Sequence, residues 1–272
     1  MELTFWGVRG TTPVIRKPAS AFGGNTLCAT VTTGTGPLIV VDAGTGFHDL
    51  GRRLTAGKRG PLRMSLLLTH FHLDHILGLP FFDPLYDPST EIAFYSAAEP
   101  DVLREHLGRL MGNPFFPVAF EATASRKEFR KIGGRRIRIG GAAVSACPLN
   151  HPQGCVAYKV EKSGAAIVFA NDTEHPAEGV DGWLAEFAHG ASCLIYDATF
   201  TPREYAAGKR GWGHSTWAEG AKLAAAAGVQ RLVLTHFNRE HADREIRTIE
   251  RLARRAFPAT EAAREGRRLV FK

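Results

Sequence analysis

Six short apolar runs of this 272-residue chain each end at a histidine or an aspartate. The runs are rich in Leu, Ile and Val, and the residues that end them are Asp42, His70, His151, Asp172, Asp197 and His236. Nearly continuous apolar runs of this length are typical of strands that are buried on both faces. In open α/β sheets, ligands bind beyond the carboxyl ends of the strands. The pattern therefore predicts that the six side chains converge and form one polar site.

Segments with helical patterns predict helices that cover the sheet faces. Apolar residues recur at helical spacing in 100–111 and 242–257. Segment 215–228 has a Thr-x-x-Glu capping signal near its start, an alanine-rich body and a glycine at its end. Strands and helices follow one another without a low-complexity linker, which predicts a single α/β domain over residues 1–272.

The composition limits the class of protein. The net charge is +7, so an anionic substrate would not be repelled. Cys28, Cys147, Cys155 and Cys193 form no C-x-x-C pair, which predicts reduced thiols and a cytoplasmic location. The first residues lack the pattern of a signal peptide, and no apolar run has the length of a membrane span. We therefore expect no membrane partner.

The segment THFHLDH, at residues 69–75, has the highest density of metal-binding side chains. It contains three of the chain's 11 histidines together with Asp74. His70 and His72 alternate, so both rings can reach one metal ion, whereas Asp74 and His75 follow one turn later and can reach a second. Imidazole and carboxylate together suit Zn, Mn or Fe rather than Ca or Mg alone. So dense a cluster indicates a metal site.

The H-x-H-x-D-H motif after a strand, with single His, Asp and His residues at later strand ends, resembles the metallo-β-lactamase superfamily. The resemblance extends from VDAGTG, which begins at Val41, to VLTHF, which ends at Phe237. It implies a four-layer αββα sandwich, in which two mixed sheets carry helices on their outer faces. It also implies a dinuclear metal site along one edge of the two sheets.

The same resemblance implies seven ligands for two divalent metal ions, with zinc as the first choice and manganese or iron as alternatives. One ion is expected at His70, His72 and His151. The other ion is expected at Asp74, His75 and His236. Asp172 would bridge the two ions, and His175 is an alternative ligand three residues further on.

The C-terminal segments YDATF and GHST resemble the phosphodiesterase branch, which includes ribonuclease Z and cyclic-phosphate diesterases. Ribonuclease Z usually has Glu where Asp197 stands, and no long Gly-rich basic insertion for gripping tRNA lies between Asp172 and Asp197. A cyclic nucleotide or another small cyclic phosphodiester is therefore the expected substrate. The alternatives are a thioesterase or lactonase, a nuclease that resembles the tRNA 3′-processing enzyme, and a non-catalytic metal-binding sensor.

Asp74, Asp197 and His214 are the expected catalytic residues. Asp74 would orient the attacking water or accept its proton. Asp197 would hold the His214 ring, so that the ring can donate a proton to the leaving oxygen.

Four other residues are expected behind the ligands or near the substrate. Asp42 would orient a ligand ring or the metal-binding loop. Asn25 would contact either the substrate or a ligand. Phe115 and Phe116 would form either a lid that stacks on a base or a part of the core. The expected partner is a small anionic phosphodiester, and a homodimer is left open.

Overall fold

The structure is a computed structural model that describes residues 1–15, 20–34, 36–57 and 60–272. Fourteen β-strands occur in these residues, and they are numbered in chain order. They are β1 (Glu2–Gly7), β2 (Cys28–Thr32), β3 (Leu38–Val41), β4 (Arg63–Leu67), β5 (Glu91–Ser96), β6 (Arg126–Lys131), β7 (Ile137–Ile139), β8 (Ala142–Leu149), β9 (Cys155–Lys162), β10 (Ala165–Ala170), β11 (Cys193–Asp197), β12 (Leu232–Thr235), β13 (Thr260–Ala262) and β14 (Arg268–Val270).

The described strands form two seven-stranded sheets, with the orders β14-β1-β2-β3-β4-β5-β6 and β13-β12-β11-β10-β9-β8-β7. In the first sheet, pairing is antiparallel from β14 to β3 and parallel from β3 to β6. The second sheet repeats this pattern, antiparallel from β7 to β10 and parallel from β10 to β13. Both sheets are therefore mixed, as the sequence predicts.

Seven α-helices occur in the described residues. They are α1 (Gly46–Ala56), α2 (Leu73–Ile76), α3 (Pro100–Leu110), α4 (Gly182–Phe187), α5 (Pro202–Ala206), α6 (Trp217–Ala227) and α7 (Asp243–Ala256). The three helices predicted from the sequence are confirmed as α3, α6 and α7. At the start of α6, the Thr216 side chain accepts from the Glu219 N–H, and Gly228 ends the helix with a φ of 62°. None of the described helices could span a membrane.

Alternate residues of the strands pack into different layers. Ile39 and Val41 of β3 point into a core that also contains residues of the second sheet. Val40, between them, lies in a separate cluster with Phe47 of α1 and Leu103 of α3. The first sheet thus has one face on the second sheet and the other face on helices, because successive side chains of a strand point to opposite faces.

Helices α6 and α7 cover the outer face of the second sheet. Leu223 of α6 and Ile246 of α7 pack with the strands of that sheet in one core cluster. With α1 and α3 on the other side, the arrangement is a four-layer αββα sandwich, and the predicted fold class is confirmed. The four cysteines are unpaired in the structure, with Cys28, Cys155 and Cys193 buried and Cys147 partly exposed.

Candidate metal centre

The strand ends bring histidines and carboxylates of both sheets together. His70 and His72 follow β4, and α2 begins directly after His72, which carries Asp74 and His75 into the same place. Donor atoms lie within 4.8 Å of one another in four overlapping groups. The groups are His70, His72 and His151; Asp74, His75 and His236; His70, His75 and Asp172; and Asp172, Asp197, His214 and His236.

The first group consists of three imidazoles. The ring centroid of His70 is 4.4 Å from that of His72 and 4.9 Å from that of His151. The Nδ1 atom of His72 is 3.2 Å from the Nε2 atom of His151. Three nitrogen donors so close together, with no carboxylate between them, form one half of a site that a cation could bind.

The second group combines imidazoles with carboxylates. The Nε2 atom of His75 lies 3.1 Å from Asp172 Oδ2 and 3.5 Å from Asp74 Oδ2. The Nε2 atom of His236 lies 3.2 Å from Asp172 Oδ1 and 3.3 Å from Asp74 Oδ2. Asp172 also belongs to the group that contains His70. Its carboxylate therefore lies between the two sets of imidazoles.

Four of the histidines are held from behind by a contact at Nδ1. The partners are Thr69 Oγ1 for His70 at 3.1 Å, Asp42 Oδ2 for His75 at 2.8 Å, the Gly213 carbonyl for His151 at 2.8 Å, and Thr199 Oγ1 for His236 at 2.7 Å. In a neutral ring, an acceptor at Nδ1 keeps the single proton there and leaves Nε2 free, which is the form that binds a metal ion.

The donors fit divalent transition-metal ions. Among the described residues, His70 Nε2, His75 Nε2 and Asp172 Oδ2 are buried without a hydrogen-bond partner of suitable geometry. Buried polar atoms are rarely left in this state, because the loss of hydration is costly. All three point into the centre, and nitrogen and carboxylate donors of this kind suit zinc, manganese or iron.

The imidazoles of the two groups differ in protonation. Burial, assisted by the neighbouring histidines, lowers the pKa of His70 to about 2, so its ring is neutral. Burial would also lower the pKa of His75 and His236, but the facing carboxylates, Asp172 foremost, raise both pKa values well above the usual one. A metal ion at His75 and His236 must therefore displace protons.

The pKa values of the two facing carboxylates, Asp74 and Asp172, shift in the opposite direction. Burial would raise the pKa of Asp74 and Asp172, but the nearby imidazoles of His75 and His236 hold both pKa values well below the usual one. These carboxylates are therefore charged, and they give the centre the negative charge that attracts a cation.

Asp197 and His214 lie beside the second group. His214 Nδ1 is 2.9 Å from Asp197 Oδ2 and 3.7 Å from Asp172 Oδ1. Asp197 is fully buried and also accepts from the backbone N–H groups of Asp172, at 3.1 Å, and of Thr199, at 2.8 Å. The His214 side chain is 14% exposed, so its ring is held by Asp197 at Nδ1 and is still accessible from solvent.

The remaining expected residues lie in different surroundings. Asn25 binds Asp49 and Thr45, at the start of α1, and contacts no candidate ligand among the described residues. Phe116 is partly buried and meets Phe81 edge-on at 5.8 Å, whereas Phe115 is 82% exposed.

The alternative ligand His175 lies apart from the four groups of donors. Its Nδ1 atom is 2.9 Å from Ser215 Oγ, and its ring lies 4.3 Å from that of Tyr205. His175 belongs to none of the donor groups found among the described residues.

Several residues that support the centre have no recognisable pattern in the sequence. The backbone N–H of Thr11 donates to Asp74 Oδ2 at 2.7 Å. Gly10 lies against the ring of His236, where a Cβ atom would be 2.2 Å from Nδ1. The buried Glu174 accepts from the N–H groups of Gly211 and Gly213, each at 2.8 Å. These contacts join segments that are far apart in the chain.

The fold and the site together are those of a metal-dependent hydrolase. The protein is an αββα sandwich, and a cluster of histidine and aspartate donors lies at the ends of its strands. A family model described as "Beta-lactamase superfamily domain" matches residues 38–237. The chain therefore belongs to the β-lactamase superfamily, and the resemblance found in the sequence is confirmed.

Proteins similar to this chain include a ribonuclease and a diphosphatase. Ribonuclease Z of Bradyrhizobium sp. (strain ORS 278) is 30% identical over 86% of this chain and 90% of its own length. The metallo-β-lactamase fold protein YhfI of Bacillus subtilis is 19% identical, with a TM-score of 0.74 over 99% of each chain. A diphosphatase from the PhnP family is 18% identical, with a TM-score of 0.71 over 100% of this chain and 98% of its own. The two structural likenesses show the fold.

Proposed function

We propose that this protein is a dinuclear metal-dependent phosphodiesterase that hydrolyses a small cyclic phosphodiester, such as a cyclic nucleotide. The observation that carries the proposal is the Asp197–His214 pair, whose Nδ1 to Oδ2 distance is 2.9 Å. A site that only binds metal ions has no use for a buried carboxylate that orients a histidine outside the two ligand sets. In a hydrolase, such a pair can protonate a poor leaving group.

Two divalent ions, with zinc as the first choice, would be held by the imidazoles and carboxylates of the centre. His70, His72 and His151 would hold one ion, and Asp74, His75 and His236 the other, with Asp172 shared. When bound, the ions supply positive charge for phosphate oxygens and lower the pKa of water toward neutrality. Two of the four donor groups coincide with this division, and Asp172 belongs to both of the others, which supports its role as the shared ligand.

The side chains of this protein would perform the proton transfers. Because Asp197 holds Nδ1 of His214, the Nε2 atom remains for the substrate and can donate a proton to the departing alkoxide. The Thr11 N–H donates to Asp74 Oδ2 and keeps that carboxylate turned toward His236. Asp74 would thereby orient the attacking water.

An RNA substrate is the second candidate. Ribonuclease Z of Bradyrhizobium sp. is similar over most of both chains, and this similarity favours nuclease activity. Against it, the chain after Asp172 has only the short helix α4 before it enters β11, and no long inserted arm lies between Asp172 and Asp197. A thioesterase ranks below both, because a thiolate leaves more readily than an alkoxide and has less need of the Asp197–His214 pair. A lactonase ranks with it, because the similar ribonuclease Z favours a phosphodiester substrate. A metal sensor without activity comes last.

The test is His214→Ala, assayed on substrates with different leaving groups. The variant should keep its metal content, while kcat on adenosine 2′,3′-cyclic phosphate falls about 10²- to 10⁴-fold. The loss on bis-p-nitrophenyl phosphate should be much smaller, because p-nitrophenol leaves without protonation. His189→Ala is the matched control, since His189 is exposed after α4 and away from the centre.

Other outcomes would redirect the assignment. Equal losses on both substrates would restrict His214 to a binding role. Turnover of thioesters or lactones by the wild-type protein, with no phosphodiester hydrolysed, would refute the proposal. Turnover of a tRNA precursor with inert cyclic nucleotides would favour the nuclease.

The cytoplasmic location and the homodimer stay predictions. Light scattering on the purified, metal-loaded protein would measure the oligomeric state directly.

A further inference from the structure

An exposed tryptophan lies beside the proposed acid. Trp212 is 55% exposed and precedes His214 by two residues. The Lys209 ammonium lies 3.9 Å from the centroid of the indole. The ring of Phe200 is 6.4 Å from that of Trp212 and 6.0 Å from that of His214, edge-on in both cases. The buried ring of Phe200 thus connects the exposed Trp212 with the ring of His214. We call Phe200, Lys209 and Trp212 together the Trp212 wall.

The backbone on both sides of Trp212 is held in place by hydrogen bonds to buried groups. The buried carboxylate of Glu174 accepts from the N–H groups of Gly211 and Gly213, on both sides of Trp212, and from the Tyr205 hydroxyl at 2.6 Å. The Gly213 carbonyl in turn accepts from His151 Nδ1. The tryptophan is therefore exposed on a backbone that is fixed relative to the metal centre. A rigid, amphipathic ring held in this way loses little conformational entropy when it binds.

From this geometry we infer that the Trp212 wall binds the nucleobase on the leaving-group side of a nucleotide phosphodiester. The inference rests on the proposed function. In hydrolysis of a 2′,3′-cyclic nucleotide, water oxygen bonds to phosphorus while one ribose oxygen leaves and takes a proton from His214. The base belongs to that same ribose, so it lies beyond His214, where Trp212 stands.

The chemistry of the wall suits a nucleobase. Lys209 covers one face of the indole, and such a cation–π contact fixes the ring's orientation. The indole is 55% exposed, so a planar, weakly polar ring can reach it, and every nucleobase has such a ring. Stacking of this kind tolerates different bases, so the wall selects nucleotides over base-free phosphodiesters rather than one base over another.

The experiment compares two five-membered cyclic phosphodiesters, adenosine 2′,3′-cyclic phosphate and the base-free glycerol 1,2-cyclic phosphate. In Trp212→Ala, kcat/KM for the adenosine substrate should fall about 10- to 100-fold, mainly through KM. The value for the glycerol substrate should change less than about twofold, because no stacking is lost. Trp212→Phe should recover most of the adenosine activity. Trp183→Ala is the matched control, since Trp183 is 85% exposed on α4 and away from the centre.

A binding measurement separates this inference from the proposed function. Adenosine 5′-monophosphate should quench tryptophan fluorescence in the wild-type protein and in Trp183→Ala, but not in Trp212→Ala. If neither cyclic phosphodiester is hydrolysed but this quenching is seen, the proposed function is refuted and nucleobase binding at the Trp212 wall is supported. If Trp212→Ala loses both activities equally, or loses neither and is still quenched, the inference is overturned.

Discussion

Replacing Asp42 by Asn should weaken metal binding without unfolding the protein. Asp42 is 1% exposed, and its carboxylate accepts from the Thr69 N–H at 2.9 Å and from His75 Nδ1 at 2.8 Å. The backbone N–H of Thr69 can only donate a hydrogen bond. The side-chain oxygen of the asparagine must therefore face it, as the carboxylate oxygen does in the wild-type protein. The amide nitrogen must then face His75 Nδ1. Nδ1 would become the acceptor, and the ring proton would move to Nε2, the atom that points into the metal centre.

The magnitudes follow from the contacts that remain. Asparagine has the same shape and tolerates the φ of 60° at this position, so the free energy of unfolding should fall by only about 1–2 kcal/mol. Asp42→Ala is the comparison, because it leaves the Thr69 and His75 donors buried without an acceptor. That variant should lose about 3–5 kcal/mol. Losing a carboxylate behind a ligand histidine typically costs 10–100-fold in metal affinity.

Two measurements check this reasoning. Zinc affinity is measured by competition with a chelator, and the free energy of unfolding by urea denaturation of the metal-free protein. Asp42→Asn should lose metal affinity out of proportion to its loss of stability. Unchanged zinc affinity in Asp42→Asn would refute the tautomer argument. A stability loss as large as that of Asp42→Ala would show that packing, rather than proton placement, is what Asp42 provides.

Two further predictions concern Asp172, the shared candidate ligand, and Glu204, a carboxylate whose charge stabilises the fold. Asp172→Ala should lose much of both bound metal ions together with activity, since its carboxylate contacts donors of both sets; elemental analysis showing full metal content would make His175 the better candidate. Burial would raise the pKa of Glu204, but the Thr201 N–H and the His241 ring lower it. The charged form therefore stabilises the fold above about pH 4.5 and stops doing so as the pH falls through the lowered pKa. Because the side chain is 37% exposed, Glu204→Gln should cost only about 0.5–1 kcal/mol at pH 7, and in urea titrations the difference from wild type should vanish as the pH falls through the lowered pKa of Glu204.

The strands that reach the site could be predicted because their signals are local. The apolar runs before Asp42, His70, Asp172 and His236 correspond to β3, β4, β10 and β12. The run before His151 differs, because β8 pairs antiparallel on both sides and only three of its eight residues are buried. Apolar content identified the strand, but it could not show which pairing the strand adopts, since that depends on partners far along the chain.

The pairing of the chain ends had no local signal at all. Leu3 of β1 is opposite Leu269 of β14, so the first sheet is completed only by the last residues of the described chain. A three-residue strand such as β14 has too few residues for a periodic pattern. Its place in the sheet depends on its register with β1. That register is set by residues at the other end of the chain and leaves no pattern in the local sequence.

The two Thr-His pairs show the same limit at the level of side chains. Thr69 binds Asp42 and the ring of His70 through its hydroxyl. The corresponding hydroxyl of Thr235 only approaches the Val8 carbonyl, at 3.5 Å, and the ring of His236 is held instead by Thr199. Identical dipeptides at the ends of similar strands therefore serve different contacts, because the neighbouring strands bring different residues to each.

The repeated pairing pattern of the two sheets accounts for the way the centre is assembled. Asp42 follows β3 and Asp172 follows β10, and these strands occupy equivalent positions, the first of the parallel strands in each sheet. Both aspartates have a left-handed backbone, with φ of 60° and 56°, which aspartate tolerates better than most residues. Yet their carboxylates meet opposite sides of one ring: Asp42 lies 2.8 Å from His75 Nδ1 and Asp172 lies 3.1 Å from His75 Nε2. A single buried imidazole thus joins equivalent turns of the two sheets, one acting as support and the other as a candidate ligand. Metal binding and the packing of the sheets against each other depend on the same two turns, so a change at either turn should disturb both.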